Sequence, residues 1–328
     1  MAMIEQNISG VKLEKLRQKA VKKTKFLKKN AEGRFCCLFA SCHVKAKKYR
    51  TFFDFDQWGR SGFWDHRHWN HHDFRRDFVG ILHSGSGYGV LSIVVMEKTY
   101  NEFNDNYKNK YALLKIREVP GFSNLKYAAK QGISFDELTK VGLLPGQAKS
   151  FYESGDYFEG AYEGIRFRAS SVETYEPDNS TLTVFDGQVI VFSAFHAFKT
   201  SETAIQIFPK KQSGKMKGLT LREKVETENE AFNSMFSVYA ENGHNAFYIL
   251  TPQVLEDILE FAKIIQNHVY IVFSDQSMYL GCEQMQNPFN AIVDLPIEEQ
   301  SKNIVMATEV IRKAKEMLIH IENQSGKE

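Results

Sequence analysis

Cysteine is scarce: the 328-residue chain has four, with Cys36, Cys37 and Cys42 crowded together and Cys282 far away. That number excludes a disulfide framework for a chain of this length. Proline is also scarce, at seven, and no collagen-like composition is present. Charge of one sign is lacking, because 42 Lys and Arg oppose 40 Asp and Glu for a net +2. No global field therefore points to nucleic acid or to an acidic partner, and no nucleic acid is expected. Met1 to Asn30 lack the apolar core and small-residue cleavage site of a secretory signal, so none is expected. No hydrolase elbow, kinase signature, dinucleotide fingerprint or fixed-period repeat is present. What remains is 43% hydrophobic and 25% charged residues, the balance of an ordinary globular protein of one large or two medium domains.

Three regions differ in pattern. Residues 1–33 contain a Gly- and Pro-free basic stretch, Val11 to Asn30, with apolar positions at Val11, Leu13, Leu16, Ala20 and Val21. This reads as a basic helix, either a solvated surface helix or a cytoplasmic flank beside a membrane. Residues 34–96 alternate Phe, Trp, His, Asp and Arg with no helix or strand period and hold Trp58, Trp64 and Trp69. Within them Phe78 to Met96 is uncharged but broken by glycines, and fits a buried strand pair slightly better than a membrane span. Residues 97–328 are regular. Glu97 to Val119 predicts a helix stopped by Pro120-Gly121, and Ser134-Phe135-Asp136-Glu137 is a capping box. Tyr157 to Tyr175, Thr181 to Phe198 and Ala204 to Phe208 alternate as strands. Glu228 to Ser237 reads as helix, and Thr251-Pro252 starts another, with Val254, Leu255, Ile258, Leu259, Ala262 and Ile265 on one face. Val269 to Ser274 and Met278 to Cys282 form a hairpin, and Ile297 to Asn323 a long closing helix. The fold class expected is α+β: an antiparallel sheet with segregated helices behind a basic N-terminal helix.

His66, His68, His71, His72 and Asp73 form the sharpest chemical cluster. Four imidazoles and a carboxylate within a few residues are the ligand types of zinc. They resemble at a distance the H-x-H-x-D-H motif of metallo-β-lactamase-like hydrolases, with Asn70 standing where that motif needs Asp. Other candidates are weaker. Gly85-Ser86-Gly87-Tyr88-Gly89 lacks the Lys-Ser/Thr of a phosphate loop. Lys210, Lys211, Lys215 and Lys217 read as a solvated loop tip, Cys282 as a small core residue, and His196 and His244 as lone histidines. Glu153, Asp156 and Glu159 suit acid–base work by type, yet read as solvated turn and strand residues.

From about Tyr107 to Ile319 the chain resembles a bacterial domain-of-unknown-function family, numbered thirty-one thirty-seven. Ser154 to Gly160 with Gly164 to Phe167, and Val184 to Gly187 with Val189 to Phe192, look like its strands. The most specific block is Val225-Glu226-Thr227-Glu228-Asn229-Glu230-Ala231-Phe232, followed by Phe236 to Tyr239, Ile249 to Pro252, Val269 to Phe273 and Met278 to Leu280. The resemblance implies a basic N-terminal helix, one or two membrane spans and an α+β domain, with no established activity and no residue roles to carry over. It implies a membrane-associated, non-enzymatic binding or assembly module on the cytoplasmic face, with a protein or lipid partner and no cofactor. The alternative is a soluble metal-dependent hydrolase using zinc at His66, His68, His71, His72 and Asp73.

Residues 34–86 occupy the position of the implied span. A shift of frame by one base turns Asp, His and Asn codons into Ile, Thr or Met, and Trp before Gly, Asp or Asn into Gly. Phe52 to Trp58 and Trp64 to Phe78 then read as apolar, β-branched runs. The hypothesis is that part of Arg34 to Ser86 is translated out of frame. Resequencing the codons from Ala31 to Glu97 is expected to reveal a compensating pair of indels. An intact frame would make the His cluster real and direct a zinc titration at it.

Overall fold

The structure, a computed structural model, describes residues 12–22, 98–144, 152–176, 179–193, 204–212, 221, 223–274, 276–283, 285 and 287–325. The chain divides into two compact units, 1–104 and 105–328. In the first, residues 12–22 are helical, Leu13 and Ala20 are buried, and Arg17 pairs with Glu14 at 2.6 Å. No helix among the described residues is long and apolar enough to cross a membrane.

The second unit is an α+β domain. It starts with a π-helical stretch, Tyr107–Ala112, that continues into α1 (Leu113–Glu118). Val119 turns extended, as a residue before proline must, and Gly121 at φ +93° makes the corner. Then come β1 (Phe122–Ala128) and α2 (Phe135–Lys140), and the antiparallel run β2 (Tyr152–Tyr162), β3 (Ile165–Glu176) and β4 (Asn179–Ser193). Glu163 and Gly164, both at positive φ, form the tight turn between β2 and β3. β5 (Ile205–Pro209), β6 (Glu223–Val225), α3 (Glu230–Met235), β7 (Phe236–Ala240), α4 (Gly243–Ile249), α5 (Pro252–Ile265), β8 (Val269–Ser274), β9 (Ser277–Glu283) and α6 (Ile297–Ser325) complete it.

The nine strands among the described residues join one sheet in the order β1-β2-β3-β4-β9-β8-β5-β7-β6, and every pairing is antiparallel. The chain lays down β1 to β4 as a meander and builds β5, β6 and β7 apart from it. The β8–β9 hairpin then fills the space between. One row of paired residues runs across the whole sheet: Lys126, Glu159, Arg168, Val191, Tyr279, Val272, Gln206, Tyr239 and Lys224. Because side chains alternate between faces, residues paired in this way lie on the same face. The middle of the row is core: Val191, Tyr279 and Val272 pack with Val189, Phe185 and Phe208 under Leu138 of α2 and Leu143 and Leu144. Gln206, 1% exposed, donates to the Gly142 carbonyl at 3.2 Å and accepts from Leu221 N at 2.9 Å, so its burial leaves no amide dipole idle. At the β1 end the row is charged.

The opposite face carries Phe158, Ala169, Gln188 and Ile190 beneath Ala307, Thr308 and Ile311 of α6. α5 and α6 pack together, and α5 buries Val254, Leu255, Ile258, Phe261, Ala262 and Ile265. Phe261 takes the core place expected of Leu259, which is only half-buried. Ser134 caps α2 by accepting from Glu137 N at 3.2 Å, while the Glu137 carboxylate turns to Arg168 instead of closing the box. The segment expected as one helix from Glu228 to Ser237 divides into α3 and β7 at Met235–Phe236, because Phe236 to Ala240 pairs with both β5 and β6.

Where β4 meets β9 the backbones leave no space for a side chain. A Cβ on Gly187 would sit 2.1 Å from the Cys282 carbonyl oxygen. The change Gly187→Ala should cost about 1–3 kcal/mol through this overpacking. It would be read as a lower urea midpoint with an unchanged denaturant slope.

Candidate functional site

β2 is bulged between Gly155 and Phe158, and Asp156 at the bulge adopts φ +53°. The bulge amides leave the ladder for the segment after β1: Asp156 N donates to Ala129 O at 3.1 Å and Tyr157 N to Gln131 O at 3.0 Å. Strand alternation then puts the next two side chains on opposite faces, Asp156 beside Ala307, Thr308 and Ile311 of α6 and Tyr157 against the cluster that includes Leu138 of α2.

Asp156 is 7% exposed, so it is not the solvated carboxylate that its Ser-Gly-Asp-Tyr surroundings suggest. Lys108 Nζ meets both its oxygens at 2.8 and 2.9 Å, Asn287 Nδ2 donates to Oδ2 at 2.5 Å, and the Tyr127 hydroxyl donates to Oδ1. The Tyr127 ring stacks on Phe289 at 4.3 Å between centroids. Burial, and then the adjacent carboxylate, push the Tyr127 phenol well above its usual range, so it stays a donor. The void beside Asp156 is about 20 Å³, room for about one water. This node joins four separate segments of chain and has no space for a substrate.

The other face of the same strands opens. Beyond α2, an open groove of about 400 Å³ is lined by Lys126, Glu159, Arg166, Arg168, Ser193 and Asn124, among others. Arg168 is held in a fork by Glu137, with Nη1 to Oε2 at 2.8 Å, and this bond raises its pKa further. Glu159 accepts from Lys126 Nζ and from the Tyr157 hydroxyl, each at 2.9 Å. The Lys126 bond, then the Tyr157 bond, hold its carboxyl below the usual carboxylate range. Lys126 is 77% exposed, so its bond to Glu159 is worth about 0.2–1 kcal/mol and yields easily to a competitor. Arg166 and Ser193 are cross-strand neighbours. Neither has a side-chain hydrogen bond or ion pair among the described residues, and the same holds for Asn124 at φ +52°. Sequence reasoning missed this groove, because Lys126, Arg166 and Ser193 are separated in the chain and only strand pairing unites them.

The other candidates fall as follows. Cys282 is fully buried and its thiol is pushed up to about 12 by burial, so it is a core residue and no nucleophile at neutral pH. Lys210 Nζ donates to the Asn233 carbonyl at 2.8 Å. His244 contacts Tyr248 at 3.3 Å on the exposed side of α4. His268 pairs with Glu283 and His320 with Asp257, each at 2.5 Å. Among the described residues no group of His, Cys, Asp or Glu could hold a metal. His66, His68, His71, His72 and Asp73 lie outside the described residues, as do His196, Lys215, Lys217, the glycines from Gly85 to Gly89 and the three clustered cysteines.

The Thr227-to-Phe232 block has a structural role. Asn233 Oδ1 accepts from Thr227 N at 3.2 Å and Oγ1 at 2.9 Å, its amide donates to Thr227 O at 2.6 Å, and Asn229 caps α3 through Phe232 N at 3.0 Å. These bonds close a turn and commit Thr227, Asn229 and Asn233 to holding it.

Residues 183–321, from β4 to α6, match the model of a family described as a protein of unknown function (DUF3137). No curated protein and no solved structure matches the chain. The family resemblance read from the sequence thus holds over this part. The strands that supply Lys126, Glu159, Arg166 and Arg168 precede the matched range.

The Asp156 node makes a sharp prediction. Asp156→Asn tolerates the positive φ but leaves the Lys108 ammonium, 13% exposed, without its counter-charge, and should cost about 3–5 kcal/mol in urea unfolding. Adding Lys108→Met should restore part of that loss; a double variant as unstable as the sum of the singles would show that the pair is not coupled.

Proposed function

We propose that the domain is a non-enzymatic binding or assembly module that works at the cytoplasmic face of a membrane. The observation that carries the binding part is the contrast between the two faces of β2. The buried carboxylate Asp156 has all its bonding capacity used within the fold. The open groove opposite keeps Arg166, Ser193 and Asn124 uncommitted among the described residues. An enzyme concentrates perturbed, mutually placed acids and bases at its open cleft. Here the open cleft offers donors and cations for holding a ligand, and its one carboxylate among the described residues, Glu159, is kept ionised by its bonds to Lys126 and Tyr157.

The membrane part is supported by the N-terminal helical segment, where Lys12, Lys15, Arg17, Lys19 and Lys22 lie among residues 12–22. Basic residues beside a bilayer attract the anionic lipids of the cytoplasmic leaflet, each contributing about 1 kcal/mol near the surface. It is supported also by the family resemblance, whose implied architecture places a basic helix, a span and this domain in that order.

Fractionation of cells expressing the full chain tests the reading. The protein should pellet with membranes and enter solution with detergent. Recovery in the soluble fraction without detergent, at physiological salt, would refute the membrane part.

A further inference from the structure

The groove on the α2 face of β1 to β4 has an uneven charge composition that specifies its ligand. Lys126, Arg166 and Arg168 face Glu159 within it and Glu137 at its border, leaving one positive charge in excess. A singly charged anion balances that excess, whereas a dianion would exceed it and leave net negative charge beside Glu159 and Glu137. The cations are also unequal. Glu137 holds Arg168 and Glu159 holds Lys126, while Arg166 is exposed and has no side-chain partner among the described residues. Its planar fork is the group suited to two oxygens of one oxyanion.

The spread of the donors adds a second constraint. Ser193 on β4 pairs directly with Arg166 on β3, and Asn124 and Lys126 lie on β1, two strands away on the other side. At about 4.8 Å between strands, the groove from β1 to β4 spans about 14 Å. An anion with a substituent on one side only reaches one wall. An anion substituted on both sides, with arms bearing hydroxyl or ester oxygens, places its charge at Arg166 and its arms toward Ser193 and toward Asn124 and Lys126.

We propose that this groove binds a singly charged phosphodiester flanked by polar arms, the chemistry shared by an anionic phospholipid headgroup and a soluble glycerophosphodiester. The proposal rests on the reading of the domain as a binding module and names the ligand class of its groove. Lys126 is free to leave Glu159 for the incoming oxygen because that pair is exposed.

Calorimetric titration of the full chain with glycerophosphoglycerol, which has one negative charge and a glycerol on each side, tests it. Saturable binding is expected, weakened about ten- to hundredfold by Arg166→Ala and less by Arg166→Lys, whose ammonium lacks the fork. Ser193→Ala should weaken it by a few fold, about the worth of one neutral hydrogen bond. Since Arg166 is exposed and has no side-chain partner among the described residues, Arg166→Ala should melt at the wild-type temperature, so its loss of binding is not loss of fold. No binding by the wild type, equal binding by Arg166→Ala, or equally tight binding of acetate or of zwitterionic glycerophosphocholine would each overturn the proposal.

Vesicles of phosphatidylglycerol or phosphatidylcholine separate the two sources. Sedimentation with phosphatidylglycerol that Arg166→Ala abolishes supports the groove with a lipid headgroup in it. Binding of the soluble probe through Arg166, with vesicle sedimentation unchanged by the variant, supports the groove with a soluble diester. A chain that binds the probe but stays out of the membrane fraction keeps the groove and loses only the membrane reading. A chain that fractionates with membranes but ignores the probe loses only the groove.

Discussion

The ladder between β4 and β9 is the contact on which the rest of the domain depends. It joins the meander β1 to β4 with the group β8, β5, β7 and β6, and runs unbroken from Gly187–Glu283 to Ser193–Ser277. Without it each half would present a long edge of unpaired amides and carbonyls. Two glycines let the halves close. Gly187 lies against the Cys282 carbonyl, and Gly281 leaves room for the Phe185 ring, which a Cβ would meet at 3.1 Å. Once joined, the central strands are buried on both faces, by α2 with Leu143 and Leu144 on one and by the α5–α6 layer on the other.

The groove is where this covering ends. Along the row from Val191 to Lys126, apolar side chains give way to charged ones at Arg168, and Arg168 is bonded to the last acidic residue that α2 supplies. On the reverse side of β2, the Asp156 node ties β1, β2, the π-helical turn and the segment around Asn287 to one carboxylate. Since Asp156 and Tyr157 are neighbours pointing to opposite faces, the bonds that fix one also fix the strand presenting the other. A groove floor held from behind in this way loses little conformational freedom when it binds.

Much of the fold was legible from one-dimensional signals. The Ser134 cap, the Pro120-Gly121 stop, the Thr251-Pro252 start and the β8–β9 hairpin depend on a few adjacent residues, and all four occur. Thr251 departs in one detail: its hydroxyl makes no cap bond. β1 was not legible, because its burial pattern has a single buried residue, Leu125, around a register break. β7 was hidden for the opposite reason: Phe236 to Ala240 continues directly from α3, and only pairing with β5 on one side and β6 on the other makes it a strand. The burial of Asp156 had no local sign, since its partners Lys108 and Asn287 are 48 and 131 residues away.

By itself the sequence determined the α+β class, most element positions and the resemblance now matched over residues 183–321. These are properties of short windows, in which hydrophobic period, caps and turn residues act through nearest neighbours. Tertiary structure alone decided the strand order, the closure of β4 on β9, the node at Asp156 and the groove around Arg166. Each of these depends on which distant strands pair and in what register, and a shift of one residue would move every charge of the groove to the other face of the sheet.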